Sequence, residues 1–134
     1  MSRESQSEGT ILIVDDESSI ARAASRLLHS MGFEPLIALS GQEAVEICRA
    51  RGDEIGLVLL DVVLQETTSL ETLQQLRSIR PGIKVILTSG YGSAESVEGF
   101  ADMRLDGFLP KPFGYHELEN AVRAALNPRG TGID

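Results

Sequence analysis

Short apolar runs alternate along the chain with longer segments in which apolar residues recur at helical spacing. Runs that are apolar throughout favour strands of a parallel sheet covered on both faces, whereas spacings of three and four residues favour amphipathic helices. The pattern predicts five strands, at residues 11–14 (β1), 35–39 (β2), 57–60 (β3), 85–87 (β4) and 107–109 (β5). It also predicts five helices, at about 18–31 (α1), after residue 40 (α2), at about 69–79 (α3), at 94–103 (α4) and at 115–126 (α5).

Polar residues and helix breakers mark the ends of these segments. Ser40 and Glu43 have the spacing of a capping box, so Ser40 is expected to cap α2 and Glu43 to complete the box. Pro81 and Gly82 end α3, and Gly99 weakens α4. Regular alternation of strands and helices with short connections predicts an α/β fold with a parallel sheet and right-handed crossovers.

Length and composition describe one globular domain with excess negative charge. The 134 residues are 42% hydrophobic and 24% charged, which is enough for one core of ordinary size. Twenty acidic residues against twelve basic ones give a formal net charge of −8, which argues against nucleic acid or an anionic membrane as a direct partner. No apolar run approaches the ~20 residues that span a bilayer. The single cysteine, Cys48, leaves no internal disulfide and favours a cytoplasmic location.

The polar residues 1–8 are expected to form a disordered N-terminal tail, and residues 127–134 a C-terminal tail. The predicted domain therefore spans residues 9–126.

Three of the predicted strands are followed by charged residues. Asp15 and Asp16 follow β1, Asp61 follows β3, and Lys111 comes shortly after β5. The carboxyl ends of parallel strands meet at one edge of an open α/β sheet, where such folds bind their ligands. The three acids and the lysine are therefore expected in one crevice, which suits a divalent metal and a phosphoryl group.

With two further residues, this pattern resembles the response-regulator receiver domain of two-component signalling. That family shows an acidic pair after strand 1, a phospho-accepting aspartate after strand 3, a Ser or Thr after strand 4 and Lys-Pro after strand 5. Here these positions are Asp15-Asp16, Asp61, Ser89 and Lys111-Pro112, in that order and each at a strand end. The resemblance covers about residues 9–126. It implies a flavodoxin-like, doubly wound sheet of five parallel strands in the order 2-1-3-4-5, with five helices.

The resemblance also implies a role for each of these residues. Asp61 is the nucleophile that forms an acyl phosphate, while Lys111 and the Ser89 hydroxyl contact the phosphoryl group. The implied ligands of a Mg²⁺ ion are Asp16, Asp61, the main-chain carbonyl of Val63 and, through a coordinated water, Asp15. The Lys111–Pro112 bond is expected to be cis.

Two positions are expected to change on phosphorylation. Thr88 and Ser89 both carry hydroxyls at the end of β4, and the family register, four positions after Val85, favours Ser89 over Thr88. Phe108 stands three residues before Lys111, at the family's switch aromatic, and lacks the hydroxyl of a tyrosine. The implied response runs from Ser89 to Phe108 on the α4–β5–α5 face.

The expected function is a phosphorylation-dependent signalling switch rather than an enzyme. The resemblance implies that a sensor histidine kinase or phosphotransfer protein donates the phosphoryl group, that Mg²⁺ is required, and that the domain slowly dephosphorylates itself. It also implies a downstream protein partner at the α4–β5–α5 face, and a homodimer through the same face is compatible with it. The sequence does not identify the kinase, the output, or whether the receiver stands alone or belongs to a longer protein.

Two other functions remain open. A phosphatase of similar fold carries its aspartyl nucleophile on the first strand with a second Asp two residues later, whereas Val63 stands two residues after Asp61 here. A receiver-like domain that binds partners without phosphorylation would not need the acids, serine and lysine that this chain carries.

The loop after Asp61 departs from the family's usual residues. Where the family commonly shows Met-Pro and then Asp-Gly before α3, this chain has Leu64-Gln65 and then Thr68-Ser69. Loss of the proline and loss of the glycine change the conformational freedom of the loop in opposite directions. The departure concerns loop shape and kinetics and leaves the acid and lysine positions unchanged.

Overall fold

A computed structural model describes residues 9–64, 68–90, 100 and 103–127 of the chain. The strands are Thr10–Val14 (β1), Glu34–Ala38 (β2), Ile55–Asp61 (β3), Lys84–Ser89 (β4) and Gly107–Pro110 (β5). The helices are Ser18–Ser30 (α1), Gly41–Arg51 (α2), Ser69–Ile79 (α3) and Tyr115–Leu126 (α5), with a 3-10 turn at Gly52–Glu54. The predicted α4 lies outside the described residues except for Phe100 and Met103, and both predicted tails lie outside them except for Asn127.

The five strands form one parallel sheet in the order β2-β1-β3-β4-β5. This order confirms the predicted α/β, flavodoxin-like fold. From β1 the chain adds β2 on one side of the sheet, and from β3 it adds β4 and β5 on the other side. The direction of strand addition therefore changes between the neighbouring strands β1 and β3, and such a switch point opens a crevice at the carboxyl ends of the strands.

Two strands are three residues longer than the apolar pattern predicted, whereas the bounds of the others agree within one residue. β3 begins at Ile55 and includes Asp61, and β4 continues through Thr88 and Ser89. The extension follows from strand pairing, because β3 lies between β1 and β4 and Asp61 pairs with Thr88 across that ladder. Backbone pairing thus continues past the point where hydrophobicity stops, and it fixes the polar residues at the strand ends.

Side chains of the apolar strands contribute to two hydrophobic cores, one on each face of the sheet. Because successive side chains point to opposite faces, Leu12 packs towards α2 and α3 whereas Ile13 packs towards α1 and α5. Helix residues completing the first core include Ala44, Val45, Cys48, Leu73 and Leu76, and those completing the second include Ala21, Ala24, Leu28, Leu118 and Val122. Coverage on both faces explains why the strands read as continuous apolar runs.

The N-termini of α2 and α3 are capped by hydroxyls. Ser40 Oγ accepts from the Glu43 N–H at 3.0 Å, as predicted, but Glu43 Oε1 accepts from the N–H of Leu39 at 2.8 Å. The predicted box is therefore shifted by one residue: Ser40 is extended, and the Leu39 amide lies within reach of Glu43. At α3, Thr68 Oγ1 accepts from the Glu71 N–H at 3.0 Å, a cap that the sequence reasoning missed.

Replacing Thr68 by Ala should lower the free energy of unfolding by about 1 kcal/mol, because the Glu71 N–H then loses its acceptor. Urea denaturation measures this loss. Ser78→Ala removes a hydroxyl from an exposed position late in the same helix, and it should leave stability nearly unchanged. Equal losses in both variants would show that Thr68 does not act as a cap.

Candidate functional site

The charged residues that follow β1, β3 and β5 meet at the carboxyl edge of the sheet. Asp15, Asp16 and Asp61 each offer a carboxylate oxygen, and these oxygens lie within 4.8 Å of one another. Lys111 Nζ lies 2.8 Å from Asp15 Oδ2 and 3.2 Å from Asp61 Oδ2. The structure therefore brings together the four charged side chains that the sequence analysis assigned to one crevice.

Asp15 and Asp61 use their two oxygens in the same way. Asp15 Oδ1 accepts from the N–H of Glu17 at 2.9 Å, just before α1 begins, and Asp61 Oδ1 accepts from the N–H of Val63 at 3.3 Å. In each acid the other oxygen, Oδ2, faces Lys111. Local backbone bonds thus orient both carboxylates, and one oxygen of each is directed towards the lysine.

Lys111 is held in place through its backbone. Its N–H donates to the Ser89 carbonyl at 2.7 Å, which extends the pairing of β5 with β4 by one residue. The bond to Pro112 is cis, which confirms the expectation from the family resemblance. The lysine side chain is only 12% exposed, so its charge acts where solvent screening is weak.

Burial and the neighbouring charges shift the pKa values of Asp61 and Lys111. Burial raises the pKa of Asp61, and the negative charge of Asp15 raises it further, while Lys111 acts in the opposite direction. Burial alone would lower the pKa of Lys111, but its hydrogen bond and charge interaction with Asp15, together with those of Asp61, outweigh burial and raise it. The lysine therefore stays positively charged beside acids that repel one another.

The donor set fits a hard divalent cation. Three carboxylates against one ammonium leave a local excess of negative charge, and two carboxylates about 5 Å apart repel by roughly 3 kcal/mol at an effective dielectric near 20. Carboxylate and main-chain carbonyl oxygens are the ligands that Mg²⁺ prefers. Asp15, Asp16 and Asp61 are the residues present that could hold it.

Thr88 and Ser89 both lie buried at the end of β4 beside this cluster. Thr88 pairs with Asp61 and its carbonyl accepts from the Val62 N–H at 2.9 Å, whereas the Ser89 carbonyl accepts from the Lys111 N–H. The two residues are therefore tied to opposite sides of the crevice, one to β3 and the other to β5. The choice of Ser89 as the switch hydroxyl stays a prediction.

Two further residues singled out from the sequence are exposed. Phe108 lies on β5 with 47% of its surface accessible, so the ring faces outward rather than into the core. Val63 is 51% exposed, and the role of its carbonyl as a metal ligand stays a prediction.

The structure adds one residue that the sequence reasoning did not assign. Ser69, the first residue of α3, is 2% exposed, and its hydroxyl donates to the main-chain carbonyl of Asp61. The signal available in the sequence was the serine itself, which stands where the resembling family commonly has glycine.

Comparison with known families decides what this site belongs to. The family model described as the response regulator receiver domain matches residues 11–123. The chain belongs to this family. As a receiver, it is a domain of two-component signalling, and its curated relatives carry receivers in proteins of different kinds.

One relative is the sensor kinase CckA of Brucella abortus, 37% identical over 117 residues, which are 87% of this chain and 12% of that protein. Another is the transcriptional regulatory protein CpxR of Escherichia coli K12, 33% identical over 116 residues, again 87% of this chain and 48% of the relative. The chain thus spans less than half the length of these two relatives.

Solved receiver structures share the fold over nearly their whole length. The receiver domain protein from Clostridium thermocellum superposes with a TM-score of 0.82 at 27% identity, covering 90% of this chain and 96% of that one. A CheY-like receiver from Methanospirillum hungatei gives a TM-score of 0.80 at 28% identity, covering 90% and 94%. Among the residues described for this receiver, none of the helices has the length and apolar character to cross a membrane.

Proposed function

We propose that this receiver accepts a phosphoryl group on Asp61 from a sensor histidine kinase or a phosphotransfer protein, and that the change alters its affinity for a downstream protein. Receivers are phosphoryl-accepting switches of two-component signalling, and are generally signalling domains rather than enzymes. The observation that carries the proposal for this chain is the position of Lys111, which bridges Asp15 and Asp61 inside a cluster of three acids.

The chain's own residues supply the groups that the transfer needs. An Asp61 carboxylate oxygen forms a bond to phosphorus while the bond between phosphorus and the donor imidazole breaks, and the imidazole takes up a proton. Lys111 then exchanges its contact with the Asp61 carboxylate for a contact with the phosphoryl oxygens, which carry more negative charge. The Ser89 hydroxyl donates to another phosphoryl oxygen.

The acid cluster is proposed to hold Mg²⁺ through Asp16, Asp61 and the Val63 carbonyl, with Asp15 acting through water. When bound, the cation neutralises charge that accumulates between the acids and the phosphoryl group. Repulsion among the three carboxylates and the raised pKa of Asp61 both support a site that requires a cation before it accepts a further anion.

The downstream response is proposed to use the α4–β5–α5 face. Phe108 is exposed on β5, and we expect its ring to turn inward into the space that opens when Ser89 moves towards the phosphoryl group. Burying a ring that is now accessible changes the apolar surface offered to a partner, or to a second copy of the chain.

We also propose that the receiver domain spans residues 9–126 and that its partners are proteins rather than nucleic acid or membrane. The phosphorylated domain is proposed to dephosphorylate itself slowly. Val63 supports slow hydrolysis, because its side chain has no acid or amide to orient the attacking water.

Changes in amide chemical shift on adding a phosphoryl mimic with Mg²⁺ should concentrate at residues 89–115, because Ser89 and Lys111 are the residues proposed to contact the new charge. Two-dimensional NMR of the labelled protein measures this. A response confined to α1 and α2 would contradict the proposed face.

A pair of variants identifies the switch hydroxyl. Ser89→Ala should remove the shift at Phe108, whereas Thr88→Val should retain it, since both changes delete one buried hydroxyl from neighbouring positions. The reverse result would assign the switch to Thr88.

Phosphotransfer profiling tests the proposed donor. The receiver is incubated with a panel of autophosphorylated histidine kinases and phosphotransfer proteins, and transfer of the label is followed over time. A receiver that takes label from acetyl phosphate but from none of these proteins would contradict a histidine donor.

A further inference from the structure

The peptide that joins Asp61 to Val62 is held from two sides. Its carbonyl, from Asp61, accepts from the Ser69 hydroxyl, and its N–H, from Val62, donates to the Thr88 carbonyl at 2.9 Å. Ser69 and Asp61 are 2% and 4% exposed, so water does not compete for the Ser69 bond. The plane of this peptide is therefore fixed by α3 on one side and by β4 on the other.

Ser69 is not needed to begin α3. The neighbouring Thr68 performs that task, because its side chain accepts from the Glu71 N–H while its carbonyl accepts from the Thr72 N–H at 3.0 Å. A serine hydroxyl has one proton to donate, and Ser69 donates it to the end of β3 rather than to its own helix. Two adjacent hydroxyls thus have separate roles, one in the helix and one beside the acid cluster.

We propose that Ser69 is a positioning residue for the cation site. The inference rests on the proposed function, in which the Asp61 carboxylate and the Val63 carbonyl face the same Mg²⁺. The Asp61–Val62 peptide is part of the backbone that joins these two groups, so its orientation contributes to the angle between them. With its carbonyl held by Ser69, the peptide keeps both oxygens directed at one point before the cation arrives.

Loss of the Ser69 hydroxyl leaves a buried carbonyl without this donor. Rotation of the peptide towards water then becomes favourable, because an unsatisfied buried acceptor costs free energy and one of the two bonds that fix the peptide plane is lost. Rotation displaces the Val63 carbonyl, while the Asp61 carboxylate stays held by Lys111. The expected defect is therefore in metal affinity rather than in the fold.

The test is a Mg²⁺ titration of the unphosphorylated protein, followed by amide chemical shifts around Asp61. Ser69→Ala should weaken Mg²⁺ binding about tenfold, the effect typical of losing a partner that orients a ligand. Ser69→Cys, which nearly keeps the volume but donates poorly, should behave alike, and Ser69→Thr should restore affinity. Thr68→Ala is the matched control, since it removes the adjacent hydroxyl and destabilises α3 without touching Asp61.

Two more readouts separate positioning from stability. In the metal-free protein, the carbonyl ¹³C shift of Asp61 should move in Ser69→Ala and Ser69→Cys but not in Thr68→Ala. With acetyl phosphate, the Mg²⁺ concentration for half-maximal phosphorylation should rise about tenfold, while the rate at saturating Mg²⁺ stays near that of the wild type.

Each contrary result has a distinct meaning. Wild-type affinity in both Ser69→Ala and Ser69→Cys would overturn the inference, and so would equal weakening in Thr68→Ala. A wild-type protein that shows no Mg²⁺-dependent shifts would instead contradict the proposed metal site itself.

Discussion

Substituting Asp61 by Asn should abolish phosphorylation by acetyl phosphate and Mg²⁺, whereas the wild-type chain should gain one phosphoryl group. Asp61 lies at the end of a strand paired on both sides, and its Oδ2 faces Lys111 in a buried crevice. An amide keeps nearly the same shape, but its NH₂ group donates rather than accepts, so the variant cannot keep both the Val63 and the Lys111 contacts. It also has too little nucleophilicity to attack phosphorus. Intact-protein mass spectrometry measures the gain.

Asp53→Asn is the matched control, since it makes the same chemical change at an exposed acid outside the crevice and should leave the mass gain intact. Hydroxylamine treatment adds a chemical check, because it cleaves an acyl phosphate but leaves a phosphoserine in place. A mass gain that persists in Asp61→Asn, or that survives hydroxylamine, would move the acceptor to another residue.

Removing the Asp16 side chain, as in Asp16→Ala, should abolish Mg²⁺-dependent phosphorylation while the fold is retained. Asp16 supplies one of the three carboxylates in the cluster, and its removal leaves Asp15 and Asp61 beside the positive charge of Lys111. Two carboxylates next to one ammonium attract a divalent cation far less strongly than three carboxylates do. The phosphorylation assay and thermal unfolding with and without Mg²⁺ both report the loss.

Thermal unfolding gives a readout that does not depend on phosphorylation. At Mg²⁺ ten times the dissociation constant, the wild type should gain about 1.4 kcal/mol of stability by mass action, and Asp16→Ala should gain almost nothing. Glu17→Ala removes the same charge one residue away, and it should behave like the wild type. If Mg²⁺ stabilised Asp16→Ala as much as the wild type, the cation would have to bind elsewhere.

Much of the fold follows from the sequence because the three central strands, β1, β3 and β4, are buried on both faces. The run of residues 57–60 has no polar interruption, so its hydrophobic periodicity does not distinguish a strand from a helix, although it does predict burial. The shortness of the run and of its connections favours a strand. The ends of the strands were less predictable, since Asp61 and Ser89 join the ladder through backbone bonds that hydrophobicity does not report.

The site, like the fold, was predictable in part from the sequence. The topology rule places Asp15, Asp61 and Lys111 at one edge of the sheet, but no sequence pattern gives the distances between strands or the reach of a lysine. From the sequence, the expected partner of Lys111 is the phosphoryl group alone, whereas in the structure its nearest acid is Asp15. The contact between Ser69 and Asp61 was harder still to predict, because it joins residues eight positions apart and the sequence does not determine the shape of the loop between them.

The position of Lys111 at the margin of the sheet has a mechanical consequence. Asp15 and Asp61 follow or end strands that have a neighbour on each side, whereas β5 is a terminal strand and, within the described part of the chain, pairs with β4 alone over four residues. The anionic half of the site is thus built on strands with a neighbour on each side, and the cationic half follows the shortest strand, which lies at the end of the sheet. We expect a change in the charge in front of the lysine to move this strand more readily than the acid cluster, and the same four-residue strand carries Phe108 at the surface.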